Sequence, residues 1–273
     1  MSILVSLTPA ESKRLIGKGL CEHPLIMQAM ENGRILISNG TTTGYFVEEL
    51  FQEKIDISHF SCGTITGGVA CITPEDRLRS VFIRKGVRVK NDPEKDSYEE
   101  LRGFAAEMGA GDVYVKGANA FDPDGNAGYL LANPQGGNIL TALPAVTARG
   151  VHFLIPCGLE KMISSVPEAA RHMKGLYEYD YTFGLGCGYI MINNGIIFNE
   201  IDALELLTGV KGWHTASGGV GGSEGNVTLL LEGSKEQTDA AFRLLKMIKG
   251  EPALKNWKRN CGECTFRCRY VYE

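Results

Sequence analysis

The chain has no surplus of positive charge. Lys and Arg number 28 against 32 Asp and Glu, a formal net charge of −4. That gives no electrostatic basis for binding nucleic acid or an anionic membrane. No apolar run reaches ~18 residues, the length a membrane-crossing helix needs. The stretch Met1 to Pro9 lacks a basic segment leading into a long apolar one, so the sequence predicts no signal peptide. The lysine of a P-loop and the three-glycine spacing of a dinucleotide fold are both missing. Glycine is plentiful at 34 residues, but it clusters in loops without a fixed period, which argues against a collagen-like or low-complexity chain.

What is present fits a soluble globular protein. The chain has 273 residues, 44% hydrophobic and 22% charged, enough for a sizeable core in one large or two modest domains. The eight cysteines, without a secretory signal, read as thiols or ligands rather than disulfides, and the protein as cytoplasmic.

The stretch from Asp112 to Leu159 organises the rest. Asp112 to Ala120 is a short apolar run broken by Gly117. Phe121 to Asn126 is a turn cluster. Gly128 to Asn138 is rich in glycine and amides, Ile139 to Arg149 reads as a helix, and Val151 to Pro156 as a second buried strand. Strand, polar loop, helix, strand is a parallel crossover unit. Ligands of open parallel sheets sit beyond the carboxyl ends of the strands, where Lys116, Asn119, Asp122, Asp124 and Asn126 would lie.

Upstream, Thr8-Pro9-Ala10-Glu11 starts a helix, and Pro24 to Glu31 forms a second. Arg34 to Ser38 is a buried strand. It feeds Asn39-Gly40-Thr41-Thr42-Thr43-Gly44, and a helix follows over Tyr45 to Gln52. A glycine- and threonine-rich turn before a helix can bind an anion, or its threonines can merely cap the helix. Residues 61–72 and 80–90 read as strands or hairpins. Cys62, on a glycine-rich turn, reads either as a nucleophile or as a buried, inert thiol. Ser97 to Met108 is a helix, and Leu159 to Met173 a helix broken at Pro167, with Glu160 and Lys161 on solvated faces.

The last third changes pattern. Strands at 188–192 and 196–198 precede a helix over Asn199 to Leu207, strands over Val210 to Ser217 and Asn226 to Glu232, and a helix over Lys235 to Lys249. Helix, strand, strand, helix against an antiparallel sheet suggests an α+β subdomain of ferredoxin-like type. The predicted organisation is an α/β ligand-binding domain over 1–175, that subdomain over 176–250, and a cysteine-containing tail over 251–273. In the tail, Cys261, Cys264 and Cys268 have spacing that suits zinc or an iron–sulfur cluster; structural or free thiols, a disulfide and a redox role stay open.

Several segments together resemble a known superfamily. Lys116-Gly117-Ala118-Asn119-Ala120, Asp124-Gly125-Asn126, Gly136-Gly137, Leu143 to Ala148 and Val151 to Pro156 resemble the Gly-Ala-Asp region of methylthioribose-1-phosphate isomerases and related initiation-factor subunits. Ile37 to Leu50 is similar to the strand, phosphate loop and helix of ribose-5-phosphate isomerases. The resemblance covers roughly residues 30–165 and implies a parallel-sheet, NagB/RpiA/CoA-transferase-like fold. The family acid falls at Asn119, which cannot move a proton. The glutamate nucleophile of CoA transferases has no match.

The function this implies is a sugar-phosphate or polyol-phosphate isomerase. Gly40, Thr41, Thr42, Thr43, Gly44, Gly117, Asn119, Asn126, Gly136 and Gly137 would bind the phosphorylated or anionic ligand. Lys116 would neutralise a phosphate or enediolate oxygen, and Asp122 or Asp124 would shuttle the proton. The alternatives are an acyl- or CoA-handling transferase, and a non-catalytic anion-binding or assembly protein. The edge of the ferredoxin-like sheet suggests a homo-oligomer.

Overall fold

A computed structural model describes residues 1–255, 257–264 and 268, which form a mixed α/β structure with eight α-helices among them. In chain order the first elements are β1 (Ser2–Leu7), α1 (Pro9–Cys21), α2 (Pro24–Asn32), β2 (Arg34–Ile37) and α3 (Thr41–Phe51). Next come β3 (Gly63–Thr66), β4 (Val69–Ile72), β5 (Val81–Arg84), β6 (Val87–Val89) and α4 (Ser97–Glu107). The centre holds β7 (Val113–Val115), β8 (Ala120–Phe121), β9 (Ala127–Leu131), α5 (Gly137–Arg149) and β10 (His152–Pro156). The remainder is α6 (Val166–His172), β11 (Gly188–Ile192), β12 (Ile196–Phe198), α7 (Glu200–Thr208), β13 (Lys211–Ser217), β14 (Val227–Glu232) and α8 (Lys235–Ile248).

The main sheet has the order β12-β10-β7-β2-β5-β6. Its middle is built from short apolar runs: Ile35 to Ile37, Val113 to Val115 and Phe153 to Ile155 are each at most 1% exposed. Leu36 and Phe153 lie in register on either side of Tyr114, and the Tyr114 and Phe153 rings stack at 4.8 Å. Burying each such side chain contributes roughly 1.5–3 kcal/mol. The sheet is mixed, which corrects the expectation of a parallel one. β12, β10, β7 and β2 run parallel, but β5 returns antiparallel to β2 and pairs with β6. The Lys85-Gly86 turn, with left-handed φ values of 46° and 76°, closes the tight β5–β6 hairpin on the sheet's edge.

Helix starts follow their capping chemistry. Thr8 and Glu11 form the reciprocal capping box of α1, with Pro9 in its first turn. Pro167 opens α6 behind the Ser165 cap rather than breaking a longer helix, because its missing N–H is harmless there. α1 packs on both α3 and α7, and glycine permits both approaches. A Cβ on Gly17 would lie 3.0 Å from the Phe46 amide nitrogen, and one on Gly19 would lie 2.7 Å from Ala203 Cβ.

The helix, strand, strand, helix run of the last third is α7, β13, β14 and α8. Its sheet is β1-β14-β13, three antiparallel strands. The third strand is residues 2–7, which were not expected to form one. β11 pairs with β9 and β12 with β10. Residues 176–250 therefore share three sheets with the rest of the chain. Among the described residues no helix is long and apolar enough to cross a membrane.

Candidate functional site

Beyond the carboxyl ends of β2 and β7 lies a cleft of about 690 Å³. Three helix starts border it. α4 begins at Asp96, whose carboxylate accepts from the Tyr98 and Glu99 amides and closes that end. The other two have no side-chain cap. α3 begins at Gly40, and Gly40 to Thr43 line the cleft. α5 begins at Gly136, and Gly136, Gly137 and Asn138 line it from another side. The first-turn amides of a helix lack intrahelical partners, so these two starts present donors and the positive ends of their dipoles to the same space.

The α5 start can be built only from glycine. Gly136 has φ of 76°, and a Cβ there would fall 2.0 Å from Leu140 Cδ1. The α3 start is fixed differently. Thr43 Oγ1 donates to Ser38 O at 2.7 Å and to Gly40 O at 2.9 Å, which ties the helix back to the end of β2.

Lys116 follows β7, lines the cleft and is half-buried. Its Nζ lies 3.4 Å from Asn39 O. Burial lowers its pKa from the ordinary lysine value, the charge of Cys62 opposes that, and the Lys161 ammonium adds to it. Asn39 ties the walls together. Its Oδ1 accepts from Ser80 Oγ at 3.0 Å and from Asn138 Nδ2 at 3.3 Å, and its Nδ2 donates to Leu78 O. Lys161, Arg77, Arg79 and Arg259 also line the cleft, against Glu75 and Asp96. Arg259 pairs with Glu75 at 2.8 Å and Arg79 with Glu100 at 3.4 Å. Lys161 Nζ donates to Ala118 O at 3.0 Å. The balance in the cleft is cationic, although the whole chain is slightly acidic.

The structure brings together Gly40, Thr41, Thr42, Thr43, Lys116, Gly117, Asn119, Gly136 and Gly137. It does not bring Gly44, Asp122, Asp124 or Asn126 to that lining. Gly44 lies inside α3, which starts at Thr41 rather than Tyr45, and it packs on Ile57. Asp122 is a structural acceptor. Its carboxylate takes the Asn126 amide at 2.9 Å, Asn126 Nδ2 at 3.1 Å and the Val166 amide at 2.9 Å. Burial would raise its pKa, but these bonds together hold it below the usual carboxylate range. Asp124 is exposed on the turn. Neither Asp122 nor Asp124, expected to be catalytic, lines the cleft. Asn119 accepts from the Leu130 amide at 3.0 Å and so serves the β8–β9 hairpin.

Other lining groups were not singled out from sequence. Tyr98 and Asn138 are among them, and Lys161 was read as solvated. For Lys161 a signal existed, since it follows closely on the end of β10. For Arg77, Arg79 and Arg259 there was none, because Arg259 arrives from far along the chain. Cys21, Cys62, Cys71, Cys157, Cys187, Cys261 and Cys264 are free thiols. Cys261 is exposed, with Lys258 Nζ 3.5 Å from its sulfur. Among the described residues no three His, Cys, Asp or Glu side chains group as metal ligands, so Cys261, Cys264 and Cys268 do not form the expected zinc or iron–sulfur set there. No family model, curated protein or solved structure matches the chain.

Proposed function

We propose that the cleft binds a small phosphorylated molecule of sugar-phosphate size, and that the chain is an enzyme acting on it. The observation that carries this reading is the meeting of two uncapped helix starts, at Gly40 and Gly136, on the lysine Lys116. A phosphate accepts several hydrogen bonds at once, and amide donors, dipole ends and an ammonium together suit it. The cleft's volume is that of a small-molecule site.

Lys116 replaces the expected carboxylates as the group that moves a proton. Burial lowers its pKa from the ordinary lysine value, which eases release of the proton. The resemblance to sugar-phosphate isomerases supports the same substrate class and an isomerisation as the reaction. Seven free thiols, Cys21 to Cys264, support a cytoplasmic setting. Self-association into a homo-oligomer is supported by Leu4, Leu230 and Trp213, which lie in register across β1, β14 and β13, with Leu4 73% and Trp213 46% exposed. A one-chain mass by light scattering would remove that last element.

The test is a thermal-shift panel of sugar phosphates, the matching free sugars and CoA esters. A ligand at ~100 times its dissociation constant adds about 2.7 kcal/mol, which moves the midpoint by roughly 5–10 °C in a chain of this size. Sugar phosphates should give that shift and free sugars should not. Equal shifts from both would sink the phosphate reading.

A further inference from the structure

The cysteine sulfurs are held in two opposite ways. Cys21 Sγ donates to Gly17 O at 3.5 Å, Cys157 Sγ to Ala118 O at 3.9 Å and Cys187 Sγ to Leu185 O at 3.7 Å. A sulfur that donates has kept its proton. Burial agrees with this, pushing Cys157 up to about 11 and Cys21 up to about 12, and raising Cys187. Cys62 is arranged the other way. Its sulfur accepts from Asn138 Nδ2 at 3.9 Å. Asn138 is in the first turn of α5, at the helix's positive end.

Cys62 is also fixed in place and surrounded by polar groups. Its carbonyl accepts from the Thr73 amide at 3.3 Å and from Thr73 Oγ1 at 3.1 Å. Asn138 Nδ2, which reaches the sulfur, reaches Asn39 Oδ1 at 3.3 Å as well, and Asn39 O lies 3.4 Å from Lys116 Nζ. Sulfur, amide and ammonium thus line one wall of the cleft, next to both helix starts.

The geometry points to Cys62 as the covalent nucleophile of the cleft, adding to the carbonyl carbon of a phosphorylated aldehyde or ketone while Lys116 protonates the carbonyl oxygen. This rests on the anion-binding reading above. In the step, the Sγ lone pair forms the C–S bond as the thiol proton leaves to solvent, the carbonyl π pair moves to oxygen, and the Lys116 ammonium gives that oxygen its proton and regains one from solvent. The product is a hemithioacetal or hemithioketal. No oxidant, reductant or co-reactant is consumed, and the reverse step releases the carbonyl compound.

The experiment follows iodoacetamide labelling of each cysteine by peptide mass spectrometry on the full chain, with exposed Cys261 as the internal reference. Three additives are compared at equal concentration: inorganic phosphate, glycerol phosphate and glyceraldehyde phosphate. The expected result is that all three slow Cys62 relative to Cys261, and that the aldehyde slows it about tenfold further, as mass action gives when the adduct is about ten times the free form. If the aldehyde protects Cys62 no better than glycerol phosphate, the nucleophile is refuted while the anion site stands. If none of the three protects it, both readings fall. Lys116→Met, with its fold checked by its thermal midpoint, should lose the aldehyde's extra protection. Retention of that protection would remove Lys116 from the step.

Discussion

Replacing Lys116 by methionine should weaken anion binding and yet not weaken the fold. The two effects have opposite signs because one side chain serves two states. The half-buried ammonium reaches Asn39 O at a long 3.4 Å. An ammonium has three donors, so most of its capacity is open to a ligand. Losing a hydrogen bond to a charged group costs about 1.5–3 kcal/mol, which is about a 10- to 100-fold loss in affinity for a phosphate. Removing a desolvated charge has the reverse effect on the empty protein. Replacing buried ions by apolar groups of similar volume often stabilises by 1–4 kcal/mol, and Lys116 keeps some water at the mouth, so about 1 kcal/mol is the expected gain. For a chain of this size that is roughly 2–4 °C in the midpoint.

The pH dependence carries the same sign. Burial puts the folded pKa of Lys116 below its unfolded value. Between the two values the unfolded chain binds the extra proton, so stability rises with pH through that window and is lost as pH falls through the folded pKa. Methionine has no such dependence. The variant's stability advantage should therefore be full below the folded pKa and fade as pH approaches ~10.4, the unperturbed lysine value. Calorimetric titration with inorganic phosphate and a pH series of melts on both proteins would measure it. Unchanged phosphate affinity, or a midpoint several degrees lower in the variant, would show that Lys116 is a structural partner and not a ligand group.

Asp122→Ala should cost about 2–3 kcal/mol, because it leaves the Val166 and Asn126 donors unpaired, and it should leave phosphate affinity unchanged; a large loss of affinity in a folded variant would return Asp122 to the site. Since its folded pKa is depressed, its contribution to stability is present above ~3.9 and is lost as pH falls through the folded value, which acid melts of wild type and variant would separate. Gly136→Ala should destabilise by more than about 1 kcal/mol, from positive φ plus the clash with Leu140, and should weaken phosphate binding; a normal melt and normal affinity would contradict the role given to the α5 start. Arg14→Met should cost about 3–5 kcal/mol by breaking a buried ion network with Glu48, Glu49 and Glu251, read in a denaturant titration.

The parts of this structure that were legible in the sequence are those set by local chemistry. The runs at Ile35, Val113 and Phe153 are short, apolar and bounded by turn residues, so they could only be buried strands, and the residues just past them had to meet at one end of the sheet. Lys116 and the Gly40 turn were found for that reason. What escaped was set by partners distant in sequence. Nothing in residues 2–7 says that their neighbour is Leu229 or Leu231, and nothing in Val81 to Arg84 says that they run antiparallel to β2. Asp122 shows the same limit from the side of chemistry. A turn rich in carboxylates looks identical in sequence whether its oxygens face a ligand or the backbone amide of Val166. The helix starts show the converse. A missing cap is a local feature, readable at Gly40 and Gly136 as the lack of a capping side chain, and it points to a ligand only when two of them face a lysine across one space. A cleft assembled this way depends on groups that leave the protein's own bonds unmade. Ligand affinity should therefore be most sensitive to changes at Gly136 and Lys116, whereas fold stability should be most sensitive at Arg14 and Asp122, whose bonds are complete without a ligand.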